Sequence, residues 1–292
     1  MTRARRIIVV HVRLFRTART RRRQPEASEP FTRLMNELTS RWSGTGARDD
    51  ALPRLRFPDV PPEPLASAIP HDLQPRHWNR FLDGRSVPAG ARVLDFGCGK
   101  TNRREWAARY GMEWWGLDIP DSQEALARED RQRVVLYDGR NIPIADGSFF
   151  ALLSSQVFEH VPDPPHTFAE IARILQPGGY LLGSTSHNEP FHSRSTYGYS
   201  ALWLSELFVS AGFDLVTMAP GIDALSLAVR RLARQARMDE DVKRFGDFFE
   251  QASPLNQIID AAGTREKVDP VRINALKLEL CGHVHFLARK RA

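Results

Sequence analysis

Arg92-Val93-Leu94-Asp95-Phe96-Gly97-Cys98-Gly99 reads as a buried strand that stops at a glycine turn. A short, nearly unbroken apolar run suits a strand covered on both faces. Gly97 and Gly99 let the backbone turn sharply and approach a ligand where a β-carbon would collide. Outward from this stretch, strands are expected at 113–118, 133–137, 149–155 and 180–184. Helical segments are expected between them at 103–110, 123–131 and 167–175. Strands alternating with helices at this spacing mean βαβ units, right-handed crossovers and a mainly parallel sheet with helices on both faces. Further on, a helix is expected at 201–211, a strand at 213–218 and a helical insertion from about 222 to 278, with apolar spacing at Leu225, Val229 and Leu232. The chain closes with a strand at 280–287, most simply antiparallel at one edge of the sheet.

The chain has 292 residues, with 41 Lys+Arg against 35 Asp+Glu and a formal net charge of +6. Nine arginines lie within residues 1–23, which hold no acid; setting them aside leaves 32 bases against 35 acids. The basic character belongs to a tail, so it does not argue for a polyanion partner of the body. Two cysteines, Cys98 and Cys281, exclude a disulfide scaffold and a four-cysteine zinc site. The apolar run at 7–12 is interrupted by His11 and is too short for a signal-peptide core or a membrane span. No transmembrane segment is expected, and a cytoplasmic protein is the default reading. The expected organisation is a basic disordered tail (1–30), a helical and proline-rich arm (31–90), a core (91–220), an inserted lid or substrate region (221–278) and the final strand (279–292). In the arm, Leu34, Leu38 and Trp42 share a helical face, and seven prolines from Pro53 to Pro75 predict a lead-in running over a surface. The tail reads as an address, an anchor on an anionic surface, or residues upstream of the start codon in use.

Asp118 stands 21 residues after Gly97 at the end of the second strand, and Asp138 ends the third. In open α/β sheets the ligand crevice lies beyond the carboxyl ends of the strands, and an acid after the second strand suits ribose hydroxyls. Loop and acids together say an adenosine-containing ligand. The spacing does not separate a dinucleotide from S-adenosylmethionine, although Thr101 stands where a dinucleotide fold expects a third glycine.

Asp95-Phe96-Gly97-Cys98-Gly99 resembles the first motif of the class I S-adenosylmethionine-dependent methyltransferases. Asp138-Gly139-Arg140-Asn141-Ile142-Pro143 resembles that family's third-strand motif, and 146–161 its fourth-strand segment. Residues 171–180 look like its turn from helix to fifth strand. Four motifs in order, from Arg92 to about Thr185, are far more specific than any one alone. The resemblance implies a doubly wound, mainly parallel, seven-stranded Rossmann-like α/β sheet with an antiparallel edge strand, and S-adenosyl-L-methionine as cofactor. It implies that Gly97 and Gly99 pass beneath the methionine part, with Asp95 near its ammonium. Asp118 would bind the ribose, and Asp138, followed by Gly139, the adenine amino group. Gln156 would line the methyl-transfer side. The departures are Thr101 and Phe150, the latter where the family often has Asp, read as a change of packing.

Methyl transfer from a sulfonium is an in-line displacement that needs alignment and exclusion of water, and a hydroxyl acceptor benefits from a general base. His160 after the fourth strand and His192 after the fifth are the candidate bases, against readings as a loop-orienting and a substrate-shaping residue. His187 reads as solvated, His283 and His285 as no metal site, and Cys98 as a small loop residue. Arg230, Arg231, Arg234 and Arg237 give a basic helix face, read as solvated or as meeting an anionic substrate or lipid surface. The expected acceptor is a small molecule or glycan, methylated at oxygen, with nucleic acid not expected as partner. The alternatives are an RNA methyltransferase using the tail for phosphates and a cofactor-binding relative without turnover.

Overall fold

Seven strands join in one sheet in the order β3-β2-β1-β4-β5-β7-β6. The strands are β1 (Arg92–Phe96), β2 (Glu113–Asp118), β3 (Val134–Leu136), β4 (Phe149–Ser155), β5 (Leu175–Ser186), β6 (Phe213–Pro220) and β7 (His283–Lys290). The computed structural model describes residues 54–71, 86–100, 103–123, 127, 131–189, 193–235 and 252–292. The tail, the expected helix at 31–42, Thr101, His192 and most of the expected helix at 123–131 lie outside the described residues.

β1 pairs in parallel with β2 and β4, and β2–β3 and β4–β5 are also parallel. β1 is buried along four of its five residues. Alternate side chains feed two cores. Leu94, Phe96, Leu117, Leu152 and Leu181 point to one face, Val93, Ala151, Leu153 and Leu182 to the other. The first core holds a chain of rings, Phe158–Phe168 at 4.7 Å, Phe168–Phe208 at 5.2 Å and Phe208–Phe286 at 5.2 Å. β7 is antiparallel, as expected, but enters one place in from the edge, between β5 and β6. It is suited to that place because it pairs with a strand on each side and buries His283, Val284, Phe286 and Ala288.

The helices are α1 (Leu65–Ala68), α2 (Arg104–Arg109), α3 (Pro164–Ile174), α4 (Ala201–Ser210), α5 (Ala224–Gln235), α6 (Pro254–Arg265) and α7 (Pro270–Glu279). Their starts are written in the sequence. The Asp163 side chain accepts from His166 N ahead of Pro164 and Pro165, Ser200 accepts from Trp203 N, and Asp269 accepts from Val271 N. α3 then buries Thr167, Phe168, Ile171 and Ile174, one stripe at helical spacing.

The proline-rich arm is more than a surface lead-in. Leu65, Ala68 and Ile69 join the main core, and Phe57 packs with Ile259, Ala262, Ile273 and Leu276 of α6 and α7. Arg272 donates to the carbonyls of Pro58 and Phe57, satisfying backbone acceptors of the arm. The inserted helices are pinned by one buried carboxylate. Asp223 accepts from Ser226 N and Oγ at 2.7 Å each and from Leu255 N at 3.1 Å, so the first turns of α5 and α6 converge on it.

Candidate active site

The carboxyl ends of β1, β2, β3 and β4 open onto a cleft of about 720 Å³. It is lined by Gly97, Gly99, Asp118, Asp138, Gly139, Gln156 and His160, among others. Strand order explains the gathering: β1 is central, and its neighbours end in register beside the glycine turn. Gly97 N and Cys98 N both donate to the Leu117 carbonyl, at 2.8 and 3.2 Å, which bends the turn toward β2. Gly97 holds φ +66, and a β-carbon there would stand 2.4 Å from Val157 Cγ2. Only glycine meets both demands.

Asp118 is mostly buried and ties the turn to β2: its Oδ2 accepts from Gly99 N and its Oδ1 from Ile119 N, both at 2.8 Å. A carboxylate has about four acceptor positions, so two remain for hydroxyls from the cleft. Asp138 Oδ1 accepts from Asn141 N at 2.7 Å and Arg140 N at 2.8 Å. Those N–H groups hold its carboxyl below the usual carboxylate range. The loop that follows is clamped to α3: Ile142 N donates to Glu170, and Arg173 donates to the Ile142 and Ile144 carbonyls and pairs with Asp146 at 2.7 Å. Tyr137 lines the cleft between the two acids, and burial, then the charges of Asp118 and Asp138, push its phenol well up.

Gln156 ends β4 in the left-handed region at φ +56, unusual for a residue with a β-carbon. Its backbone N donates to the Ser184 carbonyl at 2.9 Å, and its amide lies between the Ser184 and Ser186 hydroxyls. Behind it sits a buried polar cluster. Glu159 accepts from Thr185 Oγ1 at 2.9 Å and lies 3.1 Å from Ser186 Oγ. Glu189 meets Ser186, Arg231 of α5 and His283 of β7. At the rim Arg194 pairs with Asp121 at 2.7 Å.

The structure thus brings Gly97, Gly99, Asp118, Asp138, Gly139, Gln156 and His160 together, and His192 lies outside the described residues. Asp95 is not among the lining residues. It is fully buried behind the turn, paired with Arg103 and 3.4 Å from Trp114 Nε1. Cys98 is buried against Gly116 of β2, consistent with a small loop residue. His187 is half-buried, not solvated, and burial lowers its pKa. Phe150 packs edge-on against Tyr180 at 5.7 Å, a packing role. Arg231 turns inward to Glu189, whereas Leu225 and Leu232 on the same helix are 42% and 57% exposed. Sequence reasoning missed the Glu189 cluster because its members lie 42 and 94 residues apart; the one local signal was an acid beside a histidine-rich loop, in 187–192.

Among the described residues no helix is long and apolar enough to cross a membrane, and no group of three or more His, Cys, Asp or Glu is arranged to hold a metal.

Residues 94–183 match the family model described as a methyltransferase domain. The chain is 34% identical over 139 residues to the ubiquinone biosynthesis O-methyltransferase of Xanthomonas axonopodis pv. citri (strain 306), covering 45% of this chain and 56% of that protein. It is 39% identical over 167 residues to an uncharacterized methyltransferase of Mycobacterium sp. (strain KMS), covering 55% and 65%. The chain therefore spans little more than half the length of the first of these relatives. Among solved structures it is similar to phosphoethanolamine N-methyltransferase 2 of Haemonchus contortus in complex with S-adenosyl-L-methionine, at 18% identity and a TM-score of 0.47 over 76% of this chain and 54% of that one. With four motifs in order on this strand topology, residues 94–183, which run from β1 to β5, form a methyltransferase domain of the class I S-adenosylmethionine-dependent kind.

Proposed function

We propose that the protein transfers a methyl group from S-adenosyl-L-methionine to an oxygen of a small-molecule or glycan acceptor. The observation that carries this reading is the single cleft in which the glycine turn, Asp118, Asp138 and Gln156 meet at consecutive strand ends. The two acceptor positions left on Asp118, beside the glycine turn, fit the ribose hydroxyls of that cofactor. Oxygen is favoured as the methylated atom by the relative named an O-methyltransferase.

The bound cofactor supplies a transferable methyl on its sulfonium. Asp118 accepts from the ribose hydroxyls, and Asp138, held ionised by Asn141 and Arg140, accepts from the adenine amino group. Gly97 and Gly99 let the backbone pass beneath the methionine part. Asp95 braces this turn from behind through Arg103 instead of meeting the ligand. Gln156 and His160 line the side where the acceptor enters, and His160 takes the acceptor hydroxyl's proton. The inserted helices α5–α7 are the lid or substrate region of this proposal, tied to the cleft's wall through Arg231 and Glu189. The five-part organisation, from tail to final strand, remains part of this proposal, with residues 1–30 making peripheral contact with anionic surfaces.

The test is transfer of a labelled methyl group from S-adenosyl-L-methionine to a panel of catechols, phenols and sugars, with His160→Ala beside the wild-type chain. Transfer to an oxygen that His160→Ala slows without changing cofactor affinity supports the reading. Transfer to nitrogen only, or to none of these while RNA is methylated, overturns it.

A further inference from the structure

The hydroxyl of Ser186 carries one hydrogen, yet three acceptor oxygens converge on its Oγ. Oε1 of Gln156 and Oε1 of Glu159 stand at 3.1 Å, and Oε2 of Glu189 is closer than either. A hydrogen bond to an ionised carboxylate is about twice as strong as a neutral one, so the hydrogen goes to a carboxylate and not to the amide, and Glu189 is the nearer of the two. That carboxylate cannot turn to water: its side chain is 2% exposed, gripped by Arg231 and, at 3.2 Å, by His283. With the hydrogen committed, an amide oxygen facing Ser186 meets only lone pairs. A half-turn of the Gln156 amide exchanges its oxygen and nitrogen, atoms of nearly equal size, and turns the amide's repulsive contact with Ser186 into a hydrogen bond. The Ser184 hydroxyl, 3.0 Å from the other end of the amide, then donates to Oε1. Nε2 donates to Ser186, and Ser186 donates to Glu189.

We propose that Glu189 is a positioning residue: acting through Ser186, it fixes the Gln156 amide with Nε2 toward Ser186. This decides which amide hydrogen and which lone pair are committed to the protein, and so which remain for a ligand in the cleft that Gln156 lines. It also couples α5 to the cleft, because Arg231 holds Glu189 from that helix. The ligand-directed role of Gln156 rests on the function proposed above; its amide orientation does not.

The test uses the full chain with Glu189→Gln and Ser186→Ala, singly and together. Through-space NMR contacts from the Gln156 side-chain NH2 need no ligand. They are expected to the Ser186 β-protons in the wild-type chain, and to shift toward Ser184 in Glu189→Gln. Calorimetry with S-adenosylhomocysteine should show each single variant about 3- to 10-fold weaker, the worth of one neutral hydrogen bond. The double variant should be no weaker than Ser186→Ala alone, since Glu189 acts through Ser186. An NH2 that faces Ser184 in the wild-type chain, or losses that add, overturns the proposal. Ser186→Ala keeps the test decisive where Glu189→Gln, which strips Arg231 of its charge partner, lowers stability. Wild-type NH2 contacts to Ser186 in a chain that binds no S-adenosylhomocysteine would support the orientation and refute the cofactor reading of the cleft.

Discussion

Replacing Gly97 with alanine puts two separable strains on the turn at the centre of the cleft. The first is conformational: at φ +66 a residue with a β-carbon costs about 1–2 kcal/mol. The second is steric, because the new β-carbon would stand 2.4 Å from Val157 Cγ2 and 2.7 Å from Cγ1. Overpacking of this kind costs about 1–3 kcal/mol, so Gly97→Ala is expected to lose about 2–5 kcal/mol in all. Val157→Ala removes both γ-carbons and leaves only its Cβ, 3.1 Å away, as a tight neighbour. By itself it gives up two methyl groups of partly buried surface, about 1–2 kcal/mol. Combining the two removes the steric strain and keeps the conformational one. The two substitutions should therefore be coupled by about 1–3 kcal/mol in the favourable direction. Urea denaturation of the four proteins, followed by tryptophan fluorescence, gives the cycle. A Gly97→Ala variant as stable as the wild-type chain, or losses that simply add, would refute the reading of this turn as a backbone cradle pressed against Val157.

Asp223→Ala should cost about 2–4 kcal/mol, since Ser226 N and Leu255 N lose their shared acceptor and two helix starts lose their cap. Asp223→Asn should recover part of that loss in the same denaturation assay. Glu170 gives an acid dependence whose sign is set by its partner: Arg173 holds its carboxyl below the ordinary 4.5. Its contribution is complete above that value and is lost as pH falls through the lowered folded-state pKa. Glu170→Gln should therefore flatten the stability curve below pH 4.5 and loosen the loop carrying Asp138, measurable by hydrogen exchange at Ile142.

Much of the fold was legible because buried parallel strands are written as continuous apolar runs. β1, β2 and β4 lie where Arg92–Phe96, Glu113–Asp118 and Phe149–Ser155 say. α3 starts three residues before the expected 167 because Asp163 caps it and Pro164-Pro165 form its first turn, a start that reads equally as a loop. The last strand begins at His283 because Cys281 makes an isolated bridge to Asp223 first. Its place between β5 and β6 is decided by packing after a long helical excursion, which no local pattern encodes. The cleft was readable to the extent that each lining residue ends a strand or a turn. The Asp95 position was not, because the Arg103 partner that pulls it behind the turn sits in a helix-compatible stretch with several other arginines. Nor was the Glu189 cluster, assembled from β5, the loop after it, α5 and β7.

The most direct measurement is calorimetric titration of S-adenosyl-L-methionine into the full chain and into Asp118→Ala. One site is expected in the wild-type chain. The variant, deprived of the carboxylate that also anchors Gly99 N, should bind about 10- to 100-fold more weakly, the worth of a hydrogen bond to a charged group. A wild-type chain that takes up no S-adenosyl-L-methionine at millimolar concentration, or an Asp118→Ala chain that binds as tightly as the wild type, would contradict the placement of the cofactor in this cleft.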